Sequence, residues 1–199
     1  MERIAGSLTN LMIENGAVRE EDRELYQFGF QMGMEMTLCL IVTLVCALYL
    51  HLLPEYLLFS AVFIPIRSYA GGLHFDKFYQ CFMGSCLMIV AVIAGSKRIE
   101  LPVWQSTEAI VVLLGTIAAV GPVDHENRKV DDEDRRSFGK ILCGIFWGTG
   151  ALTLVLFFLN RNHELVLVML TLAAALISMI VGKICERRNG RRHLYEGKE

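Results

Sequence analysis

Three residue types within fifteen positions could do covalent chemistry together. The stretch is Arg67-Ser-Tyr-Ala-Gly-Gly-Leu-His-Phe-Asp-Lys-Phe-Tyr-Gln-Cys81. A cysteine attacks carbonyls as the thiolate rather than the thiol. An imidazole beside it can take the thiol proton and later return a proton to a leaving amine. His74 and Cys81 are of the right types for such a pair. Gly71 and Gly72 permit a tight or left-handed turn, or a close approach of backbone to a peptide, and their amides are candidates for oxyanion stabilisation. Arg67 could hold a carboxylate, either of a substrate or of Asp76. Asp76 could in turn orient His74.

A histidine and a cysteine seven residues apart are also a common packing arrangement. On one straight helix the two side chains share a face, with an offset of about 20°, but they are separated by a rise of roughly 10.5 Å. A hydrogen bond needs about 3 Å. The pair can therefore meet if His74 stands outside the regular helix that carries Cys81, if the pair closes on substrate, or if the two come from different subunits. The glycine pair just before His74 favours the first arrangement.

The elements that must position these residues are apolar. The chain of 199 residues is 54% hydrophobic, above the roughly 45–50% of an average soluble domain. The excess is gathered into runs at about 36–53, 56–66, 78–95, 103–121, 141–159 and 165–182. A bilayer crossing needs about 20 residues. These runs predict an all-α polytopic membrane protein of six transmembrane helices, folded as a single membrane-embedded domain over residues 1–199. The run 56–66 is short; either residues 67–72 complete it or it is a broken or re-entrant piece. Residues 1–28 carry Ile4, Leu8, Leu11 and Met12 at helical spacing, which predicts an amphipathic interfacial helix. Residues 29–184 form the transmembrane core, and 185–199 a basic cytoplasmic tail. No apolar segment of signal-peptide type begins within the first 20 residues.

Charge placement sets orientation. Of the nineteen Lys and Arg, sixteen lie in residues 1–28, the loops 67–77 and 122–140, and the C-terminal stretch from Lys183 onward. The alternate loops hold only Lys97, Arg98 and Arg161. The positive-inside rule puts both termini and the two basic loops in the cytoplasm, and so requires an even number of crossings. The net charge of −2 gives no reason to expect a nucleic-acid partner. The six cysteines show neither a CxxC pair nor metal-ligand spacing with histidine. No metal, no cofactor and no disulfide framework is expected.

The pattern R-x-x-x-G-G-x-H-x(6)-C, read here as Arg67, Gly71, Gly72, His74 and Cys81 and preceded by an apolar run with a proline, resembles the accessory gene regulator B (AgrB) family. Chain length, the layout of apolar runs, and Pro122 before a charged loop with the basic pair Arg128 and Lys129 agree with that resemblance. It implies a membrane-embedded cysteine endopeptidase of quorum sensing. Its partner would be a small AgrD-like precursor peptide, whose C-terminal part is cut away before ring closure. By the resemblance, Cys81 is the nucleophile and His74 the general base, and the product is a thiolactone or lactone. Small membrane enzymes often pair, which makes a homodimer a candidate state.

Two other readings stand beside this one. A small transporter or channel exporting a peptide without proteolysis would also have six spans and a polar break between two of them, although runs one to three and four to six do not visibly repeat. A scaffold working through the 122–140 loop is the other. The cluster Asp124-His125-Glu126-Asn127 in that loop is a rival site for acid–base or metal chemistry, and a solvated charged loop is its plainer reading. Glu35, at the edge of the first run, is either functional or snorkelling. His51, His163 and His193 carry no recognisable partner.

Overall fold

The computed structural model describes residues 2–70, 78–120 and 132–196; within these, the side chains of residues 2, 32, 70, 78–81, 132–138 and 185–196 are not described. Gly71, Gly72, His74, Asp76 and the Asp124–Asn127 cluster lie outside the described residues. Among the described residues there are seven α-helices: α1 (Glu2–Glu14), α2 (Arg23–Tyr49), α3 (Leu53–Ala70), α4 (Phe78–Ser96), α5 (Val103–Val120), α6 (Asp132–Phe158) and α7 (Asn162–Glu196). A 3₁₀ turn at Glu20–Asp22 joins the first two. The protein is an all-α membrane protein. A chain this apolar satisfies its backbone inside each segment, as helices in hydrocarbon must.

Four helices are long and apolar enough to cross a bilayer, within 20–49, 103–120, 139–158 and 162–184. The α3 helix and the apolar stretch Phe82–Ser96 of α4 are shorter or more polar. The short run 56–66 is completed at both ends. Pro54 sits in the first turn of α3, where its missing N–H costs nothing, and the helix continues past Arg67 to Ala70. It does so despite Pro65, which removes one ladder hydrogen bond two residues before Arg67. The charged loop and the tail are more helical than their composition suggests: α6 begins at Asp132, and α7 runs on to Glu196.

The centre of the bundle is α7. More than half of its apolar span is buried, against less than a fifth of the other three long spans. Leu165, Leu167, Val168, Leu172 and Met179 are almost wholly enclosed, and they pack with Phe59, Val62, Ile66, Val92, Ile110 and Ile117 of α3, α4 and α5. Gly95 lets α4 approach closely, since a Cβ there would lie 3.3 Å from Leu170 Cδ1. The faces of α2 and α6 that point away from α7 keep large apolar side chains exposed, among them Ile41, Val45, Trp147 and Leu154. In a bilayer these face lipid.

Three helix ends close by one device. Gly16, His51 and Asn160 have φ of 70°, 54° and 54°. At each, the next residue's N–H bonds five residues back, as in Leu52 N to Ala47 O at 2.8 Å and Arg161 N to Leu156 O at 3.0 Å. This is the Schellman closure of orphan carbonyls. His51, which had no evident partner in sequence, is the residue that ends α2. The amphipathic α1 lies on α2, with Ala5 and Thr9 buried and Ile4, Leu8 and Leu11 exposed. Arg23 ties the two, bonding Glu20 at 2.7 Å and the Asn10 amide oxygen.

Polar contacts bind the bundle at both ends. At one, Glu55 Oε1 lies 3.8 Å from Lys97 Nζ and 3.9 Å from His163 Nε2, joining the ends of α3, α4 and α7. His163 Nδ1 is also 3.3 Å from the Ser96 carbonyl, so this histidine too has partners. Arg161 pairs with Glu164 beside them. At the other end, Lys183 of α7 donates to the Val120 carbonyl at the C-terminus of α5, where a cation complements the helix dipole.

Candidate functional site

Arg67 occupies the last turn of α3. It is half-buried, and its Nη1 donates to Ser178 Oγ of α7 at 2.9 Å. Its guanidinium carbon lies 5.9 Å from the centre of the Phe63 ring, within reach of a cation–π contact. Phe63 in turn stacks on Phe59 at 4.9 Å. An arginine at the edge of a span is costly unless it is paired or reaches a polar interface, and Ser178 supplies part of that pairing. Cys81 is the fourth residue of α4. The end of α3 and the start of α4 therefore flank residues 71–77, which hold Gly71, Gly72, His74 and Asp76 outside the described part of the chain.

Beside this junction a cavity of about 260 Å³ opens between α2, α3 and α4. Phe82 and Ser85 of α4 line it, together with Arg67, Phe63 and Phe59 of α3 and Glu35, Met36 and Leu40 of α2. Position 81 precedes Ser85 by four residues and Met88, another lining residue, by seven. The walls are mainly apolar, and the polar groups gather at the two ends. Glu35 and Arg67 stand at the end near the junction, where the Gln31 amide donates to Glu35 Oε1 at 3.1 Å. At the inner end Tyr56 and Thr43 share a hydrogen bond of 3.1 Å, so those hydroxyls are satisfied within the wall.

Of the residues singled out in sequence, the structure brings Arg67 and Glu35 to one cavity and sets α4's first turn next to it. Ser178 was not recognised from sequence. The available signal was a hydroxyl inside the apolar run 165–182, since polar groups in spans usually bond across helices. The cavity itself had no such signal, because three separate helices form it.

A protein-family model described as Accessory gene regulator B (AgrB) matches residues 5–181. No match was found among curated proteins or among solved structures. The matched span takes in every helix from α1 into α7, and with them the whole Arg67–Cys81 stretch.

Proposed function

The chain belongs to the accessory gene regulator B family, and on that premise we propose that it is a membrane-embedded cysteine endopeptidase and cyclase acting on an AgrD-like precursor peptide. Membership in the family links the protein to accessory gene regulator peptide processing. The observation that carries the finer reading is the set Arg67, Gly71, Gly72, His74 and Cys81, which lies wholly within the matched span.

The reaction would run in two acyl transfers. His74 takes the proton of the Cys81 thiol, and the thiolate attacks the scissile carbonyl. The C–N bond breaks as the imidazolium gives its proton to the departing amine. The C-terminal fragment leaves, and the N-terminal part remains as a thioester on Cys81. A thiol or hydroxyl within the peptide then attacks the thioester, giving up its proton to His74. The C–S bond to Cys81 breaks, and the proton returns to the departing thiolate. The ring so formed is a thiolactone or a lactone.

A thioester hydrolyses readily, so a cyclase must keep the intermediate from bulk water. A site at the edge of a helical bundle supports that. Holding the peptide's own nucleophile close gives a high effective molarity and favours closure over hydrolysis. In this reading both termini and residues 67–77 and 122–140 face the cytoplasm, as the distribution of Lys and Arg supports. The precursor reaches the site along that leaflet. Arg67 and Glu35 stand at the mouth; in this reading Arg67, while bonded to Ser178, also receives a peptide carboxylate, Gly71 and Gly72 serve the developing oxyanion, and Asp76 orients His74.

The test is processing of a precursor peptide by full-length protein in liposomes. Cys81→Ser and His74→Ala should abolish cleavage while membrane insertion and helicity stay unchanged. Normal cleavage by Cys81→Ala would defeat the reading. Transport of intact peptide by the same variant would then favour an exporter.

A further inference from the structure

We infer that Ser178 of α7 is a positioning residue for the reaction: its hydroxyl holds the Arg67 guanidinium at the cavity mouth, where a peptide carboxylate is received. The inference rests on the reading of Arg67 as the group that receives that carboxylate. Two observations carry it further: how Ser178 uses its hydroxyl, and how the end of α3 holds Arg67.

A buried hydroxyl in an apolar helix commonly bonds back to its own backbone. Thr9, Thr149, Thr153 and Thr171 do so, each to the carbonyl four residues earlier. Thr171 stands seven residues before Ser178 on α7 and bonds the Leu167 carbonyl at 2.7 Å. Ser178 is only 6% exposed, yet it accepts a hydrogen bond from Arg67 Nη1 of another helix at 2.9 Å. Its neighbours along α7, Ala175 and Met179, are buried and apolar. Packing alone would be served by a small apolar residue at 178, because a buried hydroxyl carries a desolvation cost. The cation of Arg67 offsets that cost.

Arg67 needs such a hold. It sits in the last turn of α3, two residues after Pro65. Proline has no N–H to give to the carbonyl four residues before it, so the turn beneath Arg67 lacks one ladder bond. Phe63 supports the guanidinium carbon at 5.9 Å from its ring centre, and Ser178 ties Nη1 to the most buried long span of the bundle. A guanidinium carries five N–H donors in a rigid fork, so one anchored through Nη1 can still meet a carboxylate. Ordering a long side chain on binding costs a factor of about 2–10 in affinity. A side chain ordered beforehand avoids that loss, and this is the contribution of Ser178.

The experiment measures binding to full-length protein in liposomes, with Cys81→Ser so that no peptide is cut. Two labelled synthetic precursors are compared. One has carboxylates on the departing side of the scissile bond; in the other those groups are amides. The ratio of their Kd values is read within one preparation, so it does not depend on how much of a variant folds. With Arg67 and Ser178 in place, the acidic peptide is expected to bind at least about tenfold more tightly. Ser178→Ala should reduce that ratio by about threefold or more. Ser178→Thr keeps the hydroxyl and should retain the ratio. So should Thr171→Val, which removes a buried hydroxyl of α7 that bonds its own helix. In an Arg67→Gln background Ser178→Ala should change nothing further, because Ser178 acts through Arg67.

A ratio that Ser178→Ala leaves unchanged, or lowers equally in the Arg67→Gln background, would overturn the assignment. So would an equal fall in Ser178→Thr or Thr171→Val, as a merely structural role requires. Equal binding of the two peptides with Arg67 and Ser178 both in place would remove the carboxylate from Arg67, and the assignment with it. Cleavage of either peptide by the Cys81→Ser protein would instead overturn the enzymatic reading, so the failures are distinguishable.

Discussion

Arg67 of α3 donates a hydrogen bond to Ser178 of α7 at 2.9 Å, across 111 positions of sequence. This contact joins the helix that leads into the Cys81 region to the most buried helix of the bundle. Hydrogen bonds to charged groups contribute about 1.5–3 kcal/mol, while interhelical bonds measured in bilayers average about 0.6 kcal/mol. Ser178→Ala is therefore expected to cost about 0.6 kcal/mol and Arg67→Ala about 1–3 kcal/mol, read as thermal unfolding in detergent micelles. The double variant should be little worse than Arg67→Ala alone. Strictly additive losses would show that the two side chains do not depend on each other.

The turn at His51 yields a stabilising substitution. A left-handed conformation costs a non-glycine residue about 1–2 kcal/mol, which glycine avoids at some expense in chain entropy. His51 has φ 54° and an exposed side chain. His51→Gly is expected to raise stability by about 0.5–1 kcal/mol without changing precursor cleavage. A lower melting temperature would show that the imidazole makes a contact that matters.

The Glu55 cluster lies at the end of the bundle away from Arg67. Its ion-pair distances are long, at 3.8 and 3.9 Å, and Lys97 is half exposed. Such pairs contribute about 0–1 kcal/mol after solvent screening. Glu55→Gln should shift stability by less than about 1 kcal/mol and leave cleavage rates within twofold. A loss of cleavage beyond tenfold would place this cluster in the reaction rather than in the scaffold.

Orientation is open to direct chemistry. Single cysteines placed at Arg98 and Asn160 in a cysteine-free background should react with an impermeant maleimide from outside intact cells. A cysteine at Arg128 should react only after permeabilisation. The reverse pattern would invert the topology drawn from the positive-inside rule.

The sequence carries much of the architecture and less of the site. Apolar runs mark six helices because hydrocarbon leaves the backbone few alternatives. Their ends are harder to read. Tyr49 to Leu53 belongs to one apolar run, yet α2 stops at Tyr49 because His51 adopts a left-handed turn, a conformation that histidine rarely signals. The Arg67–Cys81 stretch stands out by residue type alone. The Arg67–Ser178 contact does not, since nothing local to either residue specifies a partner on another helix. The cavity depends on the mutual packing of α2, α3 and α4, and therefore emerges only in three dimensions.

The proposed chemistry requires an acyl group carried by the sulfur of Cys81. The direct measurement is intact-protein mass spectrometry after incubation with a precursor whose internal cysteine is replaced by alanine, so that ring closure is blocked. The expected result is a mass increase equal to the N-terminal fragment's free acid less one water, located on Cys81, removed by hydroxylamine and missing from Cys81→Ser. Cleaved precursor with no adduct on Cys81, and an equal rate in Cys81→Ala, would contradict it.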